Sequence, residues 1–233
     1  MGGGAADAPA TTPAPRWQRR KDARPSEILA AALETFVDHG YAATRLEEVA
    51  RRAGVTKGTL YIYFESKEAL FKEVVRANVV PMLTTAEQLA ADRSADPEVL
   101  LRRLVTAWWR AMGPSGLGGL PKLVMSEAAN FPELAQFWYG EVVQRGRRVF
   151  AQVIARGVAA GTFRPVDMDL AVRLILAPVL MASIWKHSFH ACEREAFAVE
   201  PFLETSVDIF LRGITVPPPT LPGTGGGQEP RDA

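Results

Sequence analysis

With a single cysteine, Cys192, in 233 residues, the chain can form no internal disulfide and no zinc motif built on several cysteines, which suits a reducing cytoplasm. Net charge is nearly absent as well. Twenty-seven Lys and Arg stand against 26 Asp and Glu, a balance of +1, so no whole-chain electrostatic argument for nucleic acid or a membrane surface can be made. Long hydrophobic runs are also missing. The longest uncharged one, Leu174 to Trp185, falls short of the ~18 residues that a span requires, so it reads as a buried helix and no membrane partner is expected. The opening MGGGAADAPATTPAPR lacks a basic segment followed by an apolar one and does not read as a signal peptide. Glycine-rich stretches sit in the two ends, and nothing between them forms a phosphate loop, a nucleophile elbow or a carboxylate pair. The expectation is therefore no enzyme, no catalytic residue and no cofactor.

What is present is enough apolar material, 48% of the chain, for a real core, at a length that suits one small domain and one of ordinary size. The chain is organised around Thr44 to Lys67. Leu46, Val49, Ala50 and Ala53 recur at i, i+3, i+4 and i+7, the stripe of an amphipathic helix. Thr44 ahead of it, with Glu47 three residues on, predicts a capping box. Gly54 predicts a left-handed stop and Val55 a plug at the corner. A second short helix from about Lys57 to Phe64 then opens with Thr56, Lys57, Gly58 and Thr59, small or donor-bearing groups that fit a nucleic-acid backbone and base edges. This is a helix-turn-helix with its reading end outward.

The run AGVTKGTLYIYFESKEALF, preceded by SEILAAALETFVDHGYAATRLEEVA, closely resembles the DNA-binding domain of the TetR/AcrR repressors. The ordered Gly-Val, Lys-Gly-Thr-Leu-Tyr, Tyr-Phe and Ser-Lys-Glu elements carry the likeness, which covers roughly Pro25 to Val75 and thins beyond it. The resemblance implies a homodimer on double-stranded, palindromic operator DNA, released by a small hydrophobic or aromatic ligand. It also implies that Tyr61 and Tyr63 meet the DNA backbone, and that Thr44 and Lys67, at the starts of the flanking helices, clamp phosphates. Arg45, just inside its helix, can reach a base edge or a phosphate. The candidate DNA contacts are thus Thr44, Arg45, Thr56, Lys57, Gly58, Thr59, Tyr61, Tyr63 and Lys67.

The remaining pattern is all α, with no alternating strand run. Residues 1–15 and 216–233, rich in Gly, Pro, Ala and Thr, are expected to be disordered. Residues 16–75 form the three-helix DNA-binding domain, whose first helix runs from about Ser26 to Asp38, and residues 76–215 form a helical ligand-binding and dimerisation domain. Arg16, Arg19, Arg20, Lys21 and Arg24, against Asp22 alone, make a basic arm that either follows a phosphate backbone or is only a solvated leader. Ser66 caps a helix ending near Asn78. Further helices are expected at 81–92, 97–112, 119–130, 132–160, 167–190 and 199–213, broken by Gly and Pro clusters.

The helix from 167 to 190 is apolar nearly all round, and such a helix needs partners on every side. Its own domain covers one face, and the same helices of a second subunit cover the other. Pro178 predicts a kink. Trp109, Met112, Met125, Phe137, Met181 and Trp185 load this domain with large adaptable side chains and are the candidate ligand-binding set, with ordinary core as the alternative for each singly. His187, His190, Cys192 and Glu193 lack a spacing that puts three ligands on one helical face, so no metal is assigned. The competing reading of the whole chain is a helical dimeric interaction protein without operator binding.

Overall fold

The computed structural model describes residues 16–217 except 114 and 196, with backbone alone for 16–23, so the leader and all but the first residues of the tail lie outside the described residues. The described residues form eleven α-helices with short 3-10 turns, and a single extended bridge pairs Phe163 with Thr215. Helix α1 spans Arg16–Ala43, ten residues longer at its start than the apolar pattern predicts. Arg, Lys, Gln and Ala are strong helix formers without any apolar stripe to reveal them, and Pro25 is accommodated within the helix. The basic arm is therefore helical in its backbone. Gly40, at φ 81°, breaks the helix two residues beyond its expected end at Asp38, and one further turn follows.

Helix α2, Leu46–Arg52, buries Leu46, Val49 and Ala50, the predicted stripe. Gly54 at φ 65° is the left-handed stop, and the Val55 amide returns to the Ala50 carbonyl at 2.9 Å, closing the helix as a Schellman-type end. The start differs from expectation. Arg45 is the N-cap, with no side-chain cap, while Thr44 lies one residue outside and is 3% exposed. Its hydroxyl donates to the Gly40 carbonyl at 2.6 Å, with the Thr35 carbonyl at 3.3 Å. The capping box is replaced by a tie back to α1.

Helix α3, Lys57–Tyr63, is capped by Thr56, and α4, Lys67–Asn78, by Ser66 as predicted. One residue with helical dihedrals, Val79, separates α4 from α5, Val80–Ala91. Pro81 within the first turn of α5 has no N–H to donate back to the Ala77 carbonyl, so the joint is short of one helical hydrogen bond.

The body continues with α6, Pro97–Met112; α7, Gly119–Glu127; α8, Pro132–Trp138; α9, Gln144–Ala159; α10, Met168–Lys186; and α11, Val199–Ile214. A five-residue π turn, Tyr139–Val143, joins α8 to α9, so the helix expected at 132–160 is continuous but carries one widened turn. Two cores form. The first begins in the head with Ile28, Phe36, Leu60 and Phe71, then crosses through Val75, Val79 and Leu83 into Met112, Leu120, Leu134 and Trp138 of the body. Phe36, Tyr41, Phe71 and Phe131 make the bridge, with ring centroids 4.8–5.8 Å apart. The second fills the space between α6, α9, α10 and α11 around Leu101, Val105, Phe150, Ile154, Ile175 and Leu203.

Helix α10 has two apolar faces. Ala171, Val172, Ile175 and Val179 are buried in the second core, while Leu170, Leu174, Ala177 and Met181, spaced 4, 3 and 4, are exposed. By length and composition this 19-residue helix is apolar enough to cross a membrane, contrary to the expectation from its longest uncharged run. Its first turns nevertheless carry Asp169 and Arg173, paired at 2.8 Å, with Arg147 of α9 on the same carboxylate. Pro178 lies inside a helix that runs through it as one element.

Candidate DNA-reading surface and ligand cavity

Leu60 anchors α3 in the head core. The face turned away from it carries the candidate contacts: Thr56, Lys57, Gly58 and Tyr61 are exposed and Thr59 half-buried, and Arg45 is exposed at the start of α2. The Thr56 hydroxyl accepts from the Thr59 amide at 3.1 Å and meets its hydroxyl at 2.9 Å, which fixes the first turn. Lys57 Nζ sits 2.5 Å from Glu47 Oε1 on α2 and 5.8 Å from the Tyr61 ring centroid. The shared hydrogen bond raises the Lys57 ammonium above its ordinary range and holds the Glu47 carboxyl below its own. Lys57 is thereby charged and oriented, and the pair is exposed enough to exchange for a phosphate. Tyr63 is half-buried, its ring 6.4 Å from Phe64.

Two of the nine candidates point inward. Thr44 is the buried tie described above. Lys67 Nζ donates to the carbonyls of Tyr41, Ala42 and Thr44 at 2.7, 3.1 and 3.2 Å and lies 4.6 Å from the Tyr41 ring centroid. An ammonium has three N–H groups, so none remains for a phosphate. Burial lowers its pKa, and the same enclosure pushes the Tyr41 phenol up to about 12. Lys67 closes the end of α1 onto α4, and its partners lie more than twenty residues back, beyond the reach of any local pattern. The Glu127 carboxylate, accepting from the Ala42 amide at 3.0 Å, ties α7 to the same turn.

The six candidate ligand residues do not converge as one set, although Trp109 and Trp185 share a cleft of about 190 Å³ with Phe197 and Glu200. Trp109 is buried and donates its indole N–H to Glu200 at 2.9 Å. Met112 belongs to the core shared by head and body. Phe137 lies beneath Lys72 and Arg76, 5.6 and 5.3 Å from its ring centroid. Met125 and Met181 are exposed, and Trp185 donates to Glu193 at 2.7 Å on the outer end of α10. Large side chains in sequence do not announce which helix face they share, and apart from Trp109 and Trp185 these lie in separate environments.

The apolar cavity lies elsewhere, between α5, α6 and α9 with Leu176 of α10. It measures about 270 Å³ and is walled by Met82, Leu83, Ala86, Leu89, Leu104, Trp108, Val149 and Phe150, with Ala107, Ala111 and Gly146 completing it. No lining side chain is charged. The polar groups on these side chains are the Thr85 hydroxyl, which donates to the Pro81 carbonyl at 3.1 Å, and the indole N–H of Trp108. The signal in the sequence was small residues at 86, 107, 111 and 146, which leave space beside Trp108. A second groove of about 330 Å³ lies across α6, against α11, and is charged, with Arg102, Arg110, Glu200 and Glu204 around Trp109. Among the described residues no three His, Cys, Asp or Glu side chains converge as a metal site.

A helix-turn-helix head whose reading helix faces outward, carried on an all-helical body, defines a DNA-binding transcriptional regulator. The model for bacterial regulatory proteins of the tetR family matches residues 28–74, and the model for the tetracyclin repressor-like C-terminal domain matches residues 94–191. The transcriptional repressor KstR2 of Mycolicibacterium smegmatis is 30% identical over 174 residues, 74% of this chain and 83% of the relative. The regulator EthR of the same organism is 26% identical over 208 residues, 84% and 90% of the two chains. A TetR-family regulator structure from Mesorhizobium loti superimposes with a TM-score of 0.67 at 26% identity, covering 84% of this chain and 99% of that one. The chain belongs to the TetR family.

Proposed function

We propose that the chain is a homodimeric repressor that holds a palindromic operator in the cytoplasm and leaves it when a small uncharged apolar molecule enters the cavity between α5, α6 and α9. The observation that carries this reading is the path from cavity to reading helix. Met82, Leu83, Ala86 and Leu89 of α5 line the cavity, Leu83 also belongs to the core shared with the head, and α5 continues into α4 through Val79 alone. A ligand that binds the DNA-incompetent arrangement more tightly can therefore act on the head through one short joint. The exposed stripe on α10, with Ile209 on α11, supports a two-fold helical interface. The divide into a head of residues 16–75 and a body of 76–215 is a functional one, since the first core crosses it. No catalytic step is assigned to any residue.

Seven of the nine candidates belong to this reading as DNA contacts: Arg45, Thr56, Lys57, Gly58, Thr59, Tyr61 and Tyr63. Selection from a random duplex pool tests it. The full-length protein should enrich an inverted repeat with half-sites about one helical turn apart, ~34–36 Å. Lys57→Ala should weaken binding to all enriched sequences alike and reduce the salt slope by about one unit, as loss of one phosphate contact requires. A chain that enriches no duplex would be the helical interaction protein instead.

A further inference from the structure

Among the described residues the most exposed large apolar side chain is Ile62, at 79%, and it lies on the reading helix. Gly58 and Ile62 stand two residues either side of the buried Leu60, so each lies about 160° around a 3.6-residue helix from the core. They form the crest of α3. Lys57 and Tyr61 flank that crest on one side, Thr59 and Tyr63 on the other, and all four carry hydrogen-bonding or charged groups. A helix laid in a major groove ~12 Å wide puts its flanks against the phosphate walls and its crest against the base edges. At the crest this chain has no hydrogen-bonding side chain at all.

Gly58 adds a second observation. A Cβ built there would meet nothing nearer than Thr56 Oγ1 at 3.9 Å, so no packing within the chain requires glycine, although glycine weakens a helix. Its bare backbone leaves room for something outside to come close. That lets the helix seat deeply and brings Ile62 one turn on to the groove floor.

We propose that Ile62 is a specificity residue that reads the C5 methyl of a thymine in each operator half-site, through the close approach that Gly58 permits. Thymine presents the one apolar group among the major-groove base edges. Any other edge packed against isoleucine would lose water from a donor or acceptor and gain no partner. The proposal rests on the operator-binding reading and adds to it which base chemistry the crest requires.

The test replaces each thymine of the enriched half-site in turn by uracil, which lacks only that methyl, and measures affinity for wild type, Ile62→Ala and Ile62→Val. One position per half-site should cost wild type about fourfold, the equivalent of about 0.8 kcal/mol for one buried methyl-sized group. The same replacement should leave Ile62→Ala unchanged and cost Ile62→Val an intermediate factor. Ile62 contributes nothing to the core, so the variants should melt with wild type. If every uracil replacement affects wild type and Ile62→Ala equally, the proposal is overturned while operator binding stands. If no duplex is enriched at all, the operator-binding reading falls and takes this one with it.

Discussion

The head and the body are both built from helices striped with aliphatic residues, yet they dispose of their side chains differently. In the head the long cations are tied to specific partners: Lys67 to three carbonyls, Arg52 to Asp38 at 2.9 Å, Lys57 to Glu47. The body ties cations as well, Arg145 to Glu87 and Arg156 to the carbonyls of Ala90, Asp92 and Ala95, but it also leaves an apolar stripe along α10 in the open and keeps a cavity with no charge in its wall. A reading head must present one geometry to DNA, and fixed ion pairs and caps hold it. A body that meets a second copy and a small molecule needs apolar surface held in reserve.

The strongest way to break that contrast is to ask whether the two parts are separable at all. Phe71 is fully buried and packs edge-on against Phe36 and Tyr41. Phe71→Ala should destabilise by about 3–5 kcal/mol. Because the first core crosses from head to body, far-ultraviolet dichroism and tryptophan fluorescence, which comes from Trp17 and four tryptophans of the body, should lose their signals in one urea transition. Two separated transitions would show that the shared core does not couple them.

Next in size is the apolar stripe. Leu174 is 64% exposed, whereas its neighbour Leu176 lines the cavity, so Leu174→Glu tests the outer face alone. Burying that carboxylate against a partner subunit should leave a monomer in sedimentation. Losing the linked second half-site should weaken operator binding by roughly 10²-fold or more. A variant that still sediments as a dimer would place the interface on another surface.

The adjacent tryptophans sharpen the contrast within the body. Trp108 walls the apolar cavity and Trp109 faces the charged groove. With the uncharged dye N-phenyl-1-naphthylamine as probe, Trp108→Ala should bind roughly three- to tenfold more weakly, in line with the worth of aromatic contacts. Trp109→Ala should match wild type. Equal losses in both would mean that the dye enters elsewhere.

The smallest effect belongs to His187, half-buried at the end of α10 with its Nε2 atom enclosed and unpartnered. Burial first, then Lys186 and Lys122, holds its pKa below the ordinary 6.5. The unfolded chain therefore takes up the proton first as pH falls through 6.5, and folding stability declines there by at most about 1.4 kcal/mol per pH unit. Above pH 7 this residue contributes no slope. Urea midpoints for wild type should bend downward below pH 6.5, and His187→Gln should remove the bend.

How much of this could be read in the sequence follows from distance along the chain. The α2 stripe, the Gly54 stop and the Ser66 cap involve partners within five residues, and each was legible. The inward ties of Thr44 and Lys67 leave no such trace: Lys67 reaches carbonyls up to 26 residues back, and Thr44, although Gly40 is only four residues away, uses for its tie the same hydroxyl that a cap would use. The cavity was missed because its walls come from helices spanning Met82 to Leu176. The size of single side chains carries no record of such an enclosure, whereas the small residues that leave the room do. The helical backbone of the basic arm was hidden because polar helix formers leave no periodic trace.

The joint at Val79 has a mechanical consequence. Helix α4 is 12 residues long, a rod of ~18 Å at 1.5 Å per residue, hinged where Pro81 withholds one hydrogen bond. Rotation of that rod by ~10° about the hinge carries its far tip through ~3 Å of arc. The tip is the end fastened to α1 by Lys67, and through Glu127 and Phe131 to the body, so the head travels with it only as those contacts with α7 and the following turn shift as well. In a two-fold pair the displacements oppose and add, giving ~6 Å against a groove spacing of ~34–36 Å. On the proposed reading, a displacement of that size driven from the cavity of 270 Å³ would misalign two reading helices, with neither helix changing its own shape.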